Sequence, residues 1–211
     1  MTPDAAGLLL FLAAALAIAV TPGPGIFYVA ARTLAGGRGE GIASSFGTGL
    51  GGLVHVAAGA LGVSALVMAS AQAFTVLKVA GAAYLVWLGL RAIREARRVP
   101  PPERAVATGA AWAFREGVVV EALNPKTAAF FLAFIPQFVD PAQGGVALQF
   151  AALGLVSVAL NTLVDVAVAC AASRARDGLA RRAGLVRRLR EASGAVLCGL
   201  GVSLAFARRA G

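Results

Sequence analysis

Two apolar stretches of this chain are broken at their centres by proline. The first, starting near Ala5, carries Thr21-Pro22-Gly23-Pro24-Gly25, and the second carries Asn124-Pro125-Lys126. Proline has no N–H, so each break leaves carbonyls one turn earlier without their helical partners. These are the carbonyls of Ile18 and Val20 in the first break and of Glu121 in the second. In hydrocarbon such backbone is tolerated only where protein or a water-lined cavity covers it, and paired breaks of this kind expose backbone at mid-membrane in transporters.

The composition agrees with a membrane setting. Of 211 residues, 59% are hydrophobic and only 14% charged, against about a quarter charged in soluble domains. The net charge of +9 would suggest a nucleic-acid partner in a soluble protein. Here the arginines cluster in short segments between apolar spans, so no nucleic acid is expected. Cys170 and Cys198 fall inside apolar spans with no third ligand nearby, which argues against a disulfide framework or a thiolate metal site. Asp4 precedes the first apolar run and the first basic residue is Arg32, so that run is read as a retained helix rather than a signal peptide.

Six spans are expected, at roughly 5–34, 41–67, 74–92, 115–138, 146–172 and 193–207. The first, third and fifth loops hold the arginines, while the second and fourth contain no Lys or Arg. The positive-inside rule places the arginine-rich loops in the cytoplasm and both termini outside, with Arg208 and Arg209 as the minority vote. Leu179, Val186 and Leu189 recur at helical spacing in the fifth loop. They fit a surface helix on the anionic leaflet as well as they fit a solvated basic loop.

Pro125 lies 103 residues after Pro22 (125 − 22), and the same offset sets Phe27 on Phe130, Val29 on Leu132 and Gly41 on Gly144. In the third span of each half, Gly81-Ala82 and Leu88-Gly89 resemble Gly194-Ala195 and Gly201-Val202. The expected fold is an all-α integral membrane domain spanning residues 1–211. It has six transmembrane helices built as two three-helix repeats, about 1–98 and about 110–211, with helices 1 and 4 broken. An odd number of spans per repeat inverts the second half relative to the first.

Thr21 and Asn124 are favoured N-caps, each followed by proline at the first helical position, so each break reads as the start of a new half-helix. Gly23 and Gly25 allow close approach of a ligand. Free N–H groups and positive dipole ends suit a substrate carboxylate, to which Lys126 adds a full charge. Thr21, Pro22, Gly23, Pro24, Gly25, Asn124, Pro125 and Lys126 are therefore the expected substrate-binding residues.

A charge at mid-membrane costs roughly 3 kcal/mol or more, so intramembrane ionisable groups are functional candidates. Glu121 shares a helix face with Asn124, and Ser157, Asn161 and Asp165 form one polar stripe on the fifth span. Asp165 is expected to pair with Lys126, leaving Glu121 to be protonated. Glu121, Asp165 and Asn161 are the ion-coupling candidates, with a buried ion pair of purely structural duty as the even alternative for Asp165. His55 lies on a stripe of small residues with Gly47, Gly51 and Gly59, which lets another helix pack closely within the monomer or in a homo-oligomer. A lone histidine there is expected to be a hydrogen-bonded packing residue. Arg32 is read as an interfacial residue with no functional role.

The two break motifs, followed by Phe130-Phe131 and Ile135-Pro136-Gln137-Phe138, resemble the lysine-exporter (LysE) translocator family, and the resemblance covers essentially the whole chain. It implies a multi-pass exporter of amino acids or their derivatives in a bacterial inner membrane, driven by the proton motive force. The implied partners are an amino-acid substrate, protons and the lipid bilayer, with no cofactor and no metal. A metal-cation exporter of related fold is the alternative, although Asp165, Glu121, His55 and two distant cysteines are thin material for a metal site. No nucleophile motif points to an enzyme.

Overall fold

A computed structural model describes residues 5–69, 71–96, 106–174 and 183–206. Most of the third loop, Leu179, the neighbouring arginines of 175–182, and Arg208 and Arg209 lie outside the described residues. Within them every regular element is helical: α1 (Ala5–Val20), α2 (Pro24–Ala69), α3 (Ala71–Ala96), α4 (Ala110–Ala122), α5 (Pro125–Ala129), α6 (Val146–Arg174) and α7 (Ala183–Phe206). α5 runs on through a π-helical turn, Phe130–Phe134, and a 3-10 turn, Ile135–Phe138. Pro136 cannot donate to the preceding turn, which is where regular α geometry would otherwise continue. α7 begins at Ala183 rather than near 193, so Val186 and Leu189 belong to it and not to a separate surface helix.

The expected loop between the first two spans is a single residue. Gly37 sits at φ 82° and ψ −172° inside α2, a backbone that side-chain-bearing residues rarely adopt. The chain reverses there. Gly25 and His55 are 30 positions apart and would be separated by about 45 Å in a straight helix. Both nevertheless reach Glu121, and Tyr28 and Gly47 likewise both lie against α4, near Ala113 and Phe114. α2 is thus a helical hairpin whose two arms clasp α4.

Polar side chains share the interior with an apolar core that includes Phe11, Phe131, Ile135 and Phe150, and large apolar side chains also face outward. Thr33, Ser44, Ser45, Thr48, Asn124 and Asp165 are fully buried, while Leu9, Leu61, Val76, Leu148 and Leu163 are exposed on the outer faces. Water would favour the reverse, and lipid favours this. The buried hydroxyls close on their own helix, as Thr33 Oγ1 does on the carbonyl of Val29 (2.7 Å) and Ser45 Oγ on that of Gly41 (2.9 Å). Among the described residues, α6 is one unbroken helix long and apolar enough to cross a membrane. Gly7–Val20 with Pro24–Gly62, and Ala110–Ala122 with Pro125–Phe138, meet the same test as pairs bent by 47° and 42° at the two breaks. The protein is an all-helical membrane protein.

The first half packs on the second. Gly41, Gly49, Gly52 and Gly59 of the second α2 arm lie against Ala169, Thr162, Val158 and Phe150 of α6, in antiparallel order. Ala82 and Gly89 of α3 lie against Gly201 and Gly194 of α7, again antiparallel. The broken segments follow suit, with Ile18, Gly25 and Arg32 meeting Lys126, Glu121 and Thr108. The small-residue stripe faces inward: methyl groups at Gly47 and Gly51 would strike the carbonyls of Phe114 and Val118 on α4. That stripe serves packing within the chain.

Candidate functional site

The second break is built as its sequence suggests. Asn124 caps α5: its Oδ1 accepts from the N–H of Lys126 (3.0 Å), with Pro125 at the first helical position. Its Nδ2 donates to Glu121 Oε2 (2.8 Å), and Thr127 Oγ1 donates to Glu121 Oε1 (2.6 Å), so both carboxylate oxygens of buried Glu121 are held. The Glu121 carbonyl, which Pro125 cannot serve, accepts from the N–H of Asn124 (3.0 Å) and from His55 Nε2 (2.8 Å). A carbonyl only accepts, so His55 carries its proton on Nε2. The lone histidine therefore gives this carbonyl its second donor, with its ring 5.7 Å from that of Phe131. His55→Phe should lower stability by about 0.5–1.5 kcal/mol, since the carbonyl keeps the N–H of Asn124. His55→Gln, which keeps a donor, should leave the pH profile of transport unchanged, as thermal unfolding and transport assays across pH will show.

The first break departs from expectation in its cap. Thr21 does not cap a helix; its Oγ1 donates back to the carbonyl of Ala17 (2.6 Å). Gly23 takes the capping position, its carbonyl accepting from the N–H of Phe27 (3.0 Å), and Pro24 rather than Pro22 opens α2. The Ile18 carbonyl, which Pro22 cannot serve, accepts from the N–H of Thr21 (3.2 Å) and from Lys126 Nζ (3.1 Å), which also donates to the carbonyl of Thr21 (2.9 Å). The ammonium of one break thus covers the open carbonyl end of the other, where the helix dipole is negative. The glycines serve the same contact: a methyl at Gly23 would lie 3.1 Å from Lys126 Cδ, and one at Gly25 would lie 2.7 Å from Glu121 Oε2. The close approach they permit is taken by these two side chains.

Between the breaks lies a small cavity. Glu121, Lys126, Thr127, Ser157, Asn161 and Thr48 give its polar wall, and Ile18, Phe130, Phe131 and Val158 contribute to the apolar one. Of the residues expected to hold substrate, Lys126 lines this cavity; Thr21, Pro22, Gly23, Pro24, Gly25, Asn124 and Pro125 do not. An ammonium has three donors, and carbonyls take two from Lys126, so the third remains at the wall.

The polar stripe on α6 faces inward, with Ser157 and Asp165 buried. The expected pair between Asp165 and Lys126 does not form. Lys126 is committed to α1, and Asp165 Oδ2 accepts instead from Thr48 Oγ1 (2.8 Å) and from Asn161 Nδ2 (3.4 Å).

Arg32 is more than an interfacial residue. Its guanidinium pairs with Glu116 and donates to the carbonyl of Val106 (3.1 Å) and to Thr108 Oγ1 (2.9 Å), and Tyr28 OH donates to the carbonyl of Ala113 (2.8 Å) and lies 3.0 Å from Glu116 Oε2. Buried Glu40 accepts from the N–H groups of Thr108 and Gly109 (2.9 and 2.6 Å). Together they tie the turn at Gly37 to the start of α4. Spacing in the sequence carries no signal for this cluster, because Arg32 and Glu116 are 84 positions apart.

The comparisons with known proteins point one way. The chain is 30% identical over 202 residues to the homoserine/homoserine lactone efflux protein of Salmonella typhimurium strain LT2, covering 95% of this chain and 96% of that one. It is 28% identical over 210 residues to the threonine efflux protein of Escherichia coli K12, covering 95% and 100%. It is 31% identical over 135 residues to the leucine efflux protein of Klebsiella pneumoniae, covering 63% of each. No solved structure matches. Residues 16–208 match the family model described as LysE type translocator, and the chain belongs to that family of amino-acid translocators.

Proposed function

We propose that this protein is a secondary active exporter carrying amino acids or their derivatives out across a bacterial inner membrane, driven by the proton motive force. The observation that carries the reading is the convergence of both breaks on one cavity with a cation, Lys126, and an anion, Glu121, on its wall. A zwitterion needs that pair of charges and an apolar wall for its side chain. The free donor of Lys126 takes the substrate carboxylate, and Glu121, steadied by Asn124 and Thr127, faces the ammonium. Efflux names among the relatives support an amino-acid substrate, and none of those relatives supports a metal-cation exporter.

Two inverted three-helix repeats account for the packing, since a pseudo-two-fold axis in the membrane plane sets each span antiparallel to its counterpart. The antiparallel contacts of the second α2 arm with α6, of α3 with α7, and of the two broken segments support that reading. Cells expressing the chain and preloaded with labelled homoserine, threonine or leucine should lose at least one of them faster than control cells. An uncoupler should remove the difference. No added efflux of any amino acid, with the protein present in the membrane, would sink the reading.

A further inference from the structure

We propose that Asp165 is the proton-binding group of the transport cycle, loaded from the cavity past Thr48 and Asn161, and that Glu121 remains a carboxylate throughout. This rests on the reading of the chain as a proton-coupled amino-acid exporter.

Buried Glu121 and Asp165 are built differently. Glu121 has a hydrogen-bond donor on each oxygen and Lys126 close by. Asp165 is fully buried, and its Oδ1 has no hydrogen-bond partner. Its Oδ2 has one good contact, Thr48 Oγ1 at 2.8 Å, and one long one, Asn161 Nδ2 at 3.4 Å. A buried carboxylate so poorly served is costly.

The contacts of Thr48 fit the neutral acid. Thr48 Oγ1 lies 2.8 Å from the carbonyl of Ser45 and 2.8 Å from Asp165 Oδ2. A hydroxyl has one proton and a carbonyl can only accept. With Asp165 ionised, that proton serves one contact or the other. With a proton on Oδ2, Asp165 donates to Thr48 and Thr48 donates to Ser45, and both contacts are hydrogen bonds.

Access is short, because Thr48 and Asn161 line the cavity directly in front of Asp165. The charged groups that act on it are Lys126 of α5 and Glu121 of α4; the side chains of α2 and α6 that touch it are the neutral Thr48 and Asn161. A hard metal cation wants six or more oxygens, whereas Asp165, Thr48 and Asn161 offer too few. On one side of the membrane a hydronium ion gives its proton to the carboxylate and leaves as water. On the other side the acid returns that proton to water, and no other bond changes.

The test uses purified full-length protein in liposomes, with labelled homoserine, threonine and leucine as probes. In Asp165→Asn, accumulation driven by an imposed pH gradient should fall by at least about tenfold, while exchange of internal for external amino acid persists and no longer varies with pH. Driven accumulation that survives in Asp165→Asn would overturn the proposal, as would equal loss of both activities or a sodium gradient replacing the proton gradient. An infrared difference spectrum reads protonation without transport. The carbonyl stretch of a buried, protonated carboxylic acid should be present in the wild type, titrate with pH and be missing from Asp165→Asn. Its absence from the wild type would overturn the proposal. A wild type that moves none of the probes while the band persists would reject the substrate reading and support Asp165 as a buried proton site.

Discussion

Lys126→Ala and Lys126→Met should each abolish efflux, with an expected loss of at least about 100-fold in initial rate, equivalent to roughly 3 kcal/mol. The methionine variant keeps most of the apolar stem that packs on Gly23 and removes only the charge. The ammonium joins the end of α1 to the start of α5 through the carbonyls of Ile18 and Thr21. Hydrogen bonds from a charged donor are worth about 1.5–3 kcal/mol each, and in the membrane no water replaces them. Both variants should also unfold at lower temperature in detergent, and alanine should do so by more because it leaves a void beside Gly23. Wild-type efflux from a well-expressed Lys126→Met would show that neither the breaks nor the substrate needs this charge.

Gly51→Val should cost the protein its fold rather than its chemistry. A Cβ at Gly51 would strike the carbonyl of Val118 and lie 3.0 Å from both the N of Ala122 and the Cβ of Glu121. Backbone cannot swing aside as a side-chain tip can, so α4 must move off α2. Glu121 moves with it, and the bond from His55 to its carbonyl breaks. Overpacking of this kind costs about 1–3 kcal/mol or more, which lowers the unfolding temperature by roughly 2–12 °C in a chain of this size. Gly199→Ala is the control: nothing lies within 4 Å of an added methyl there, so its unfolding temperature should hold or rise. Thermal unfolding in detergent and membrane abundance read both variants.

What was legible in the sequence followed from rules that act within one helical turn. Proline at 22 and 125 named the carbonyls of Ile18 and Glu121 as having lost their helical donors, and each takes a nearby backbone N–H and a distant side chain instead. Asn124 followed by proline named a capped half-helix. The four-residue spacing of Ser157, Asn161 and Asp165 named an inward face. The partners across the fold were not legible, because they depend on how far each helix is rotated and slid against the next. Lys126 was expected on Asp165 by complementary charge, yet the carbonyl end of α1 lies nearer. Thr21 looked like a cap, but its hydroxyl reaches back one turn to Ala17 and the capping position passes to Gly23. Gly37 is one glycine among 26, and only its contacts show that the chain reverses on it.

Arg32, Glu116, Tyr28 and Glu40 show the same limit from the other side. Each is unremarked in its local context, and the four meet only because the hairpin of α2 brings its turn to the start of α4. Long-range ion pairs have no periodicity to read.

The central claim is that the cavity between the two breaks holds the amino acid. It is tested most directly by Ser157→Cys in a Cys170→Ser, Cys198→Ser background, since Ser157 lines the cavity, differs from cysteine by one atom, and would then be the sole thiol. A transported amino acid should slow labelling of that thiol by a membrane-permeant maleimide, with half-protection at the concentration that half-saturates transport. Labelling that is indifferent to substrate in a variant that still transports would place the binding site elsewhere.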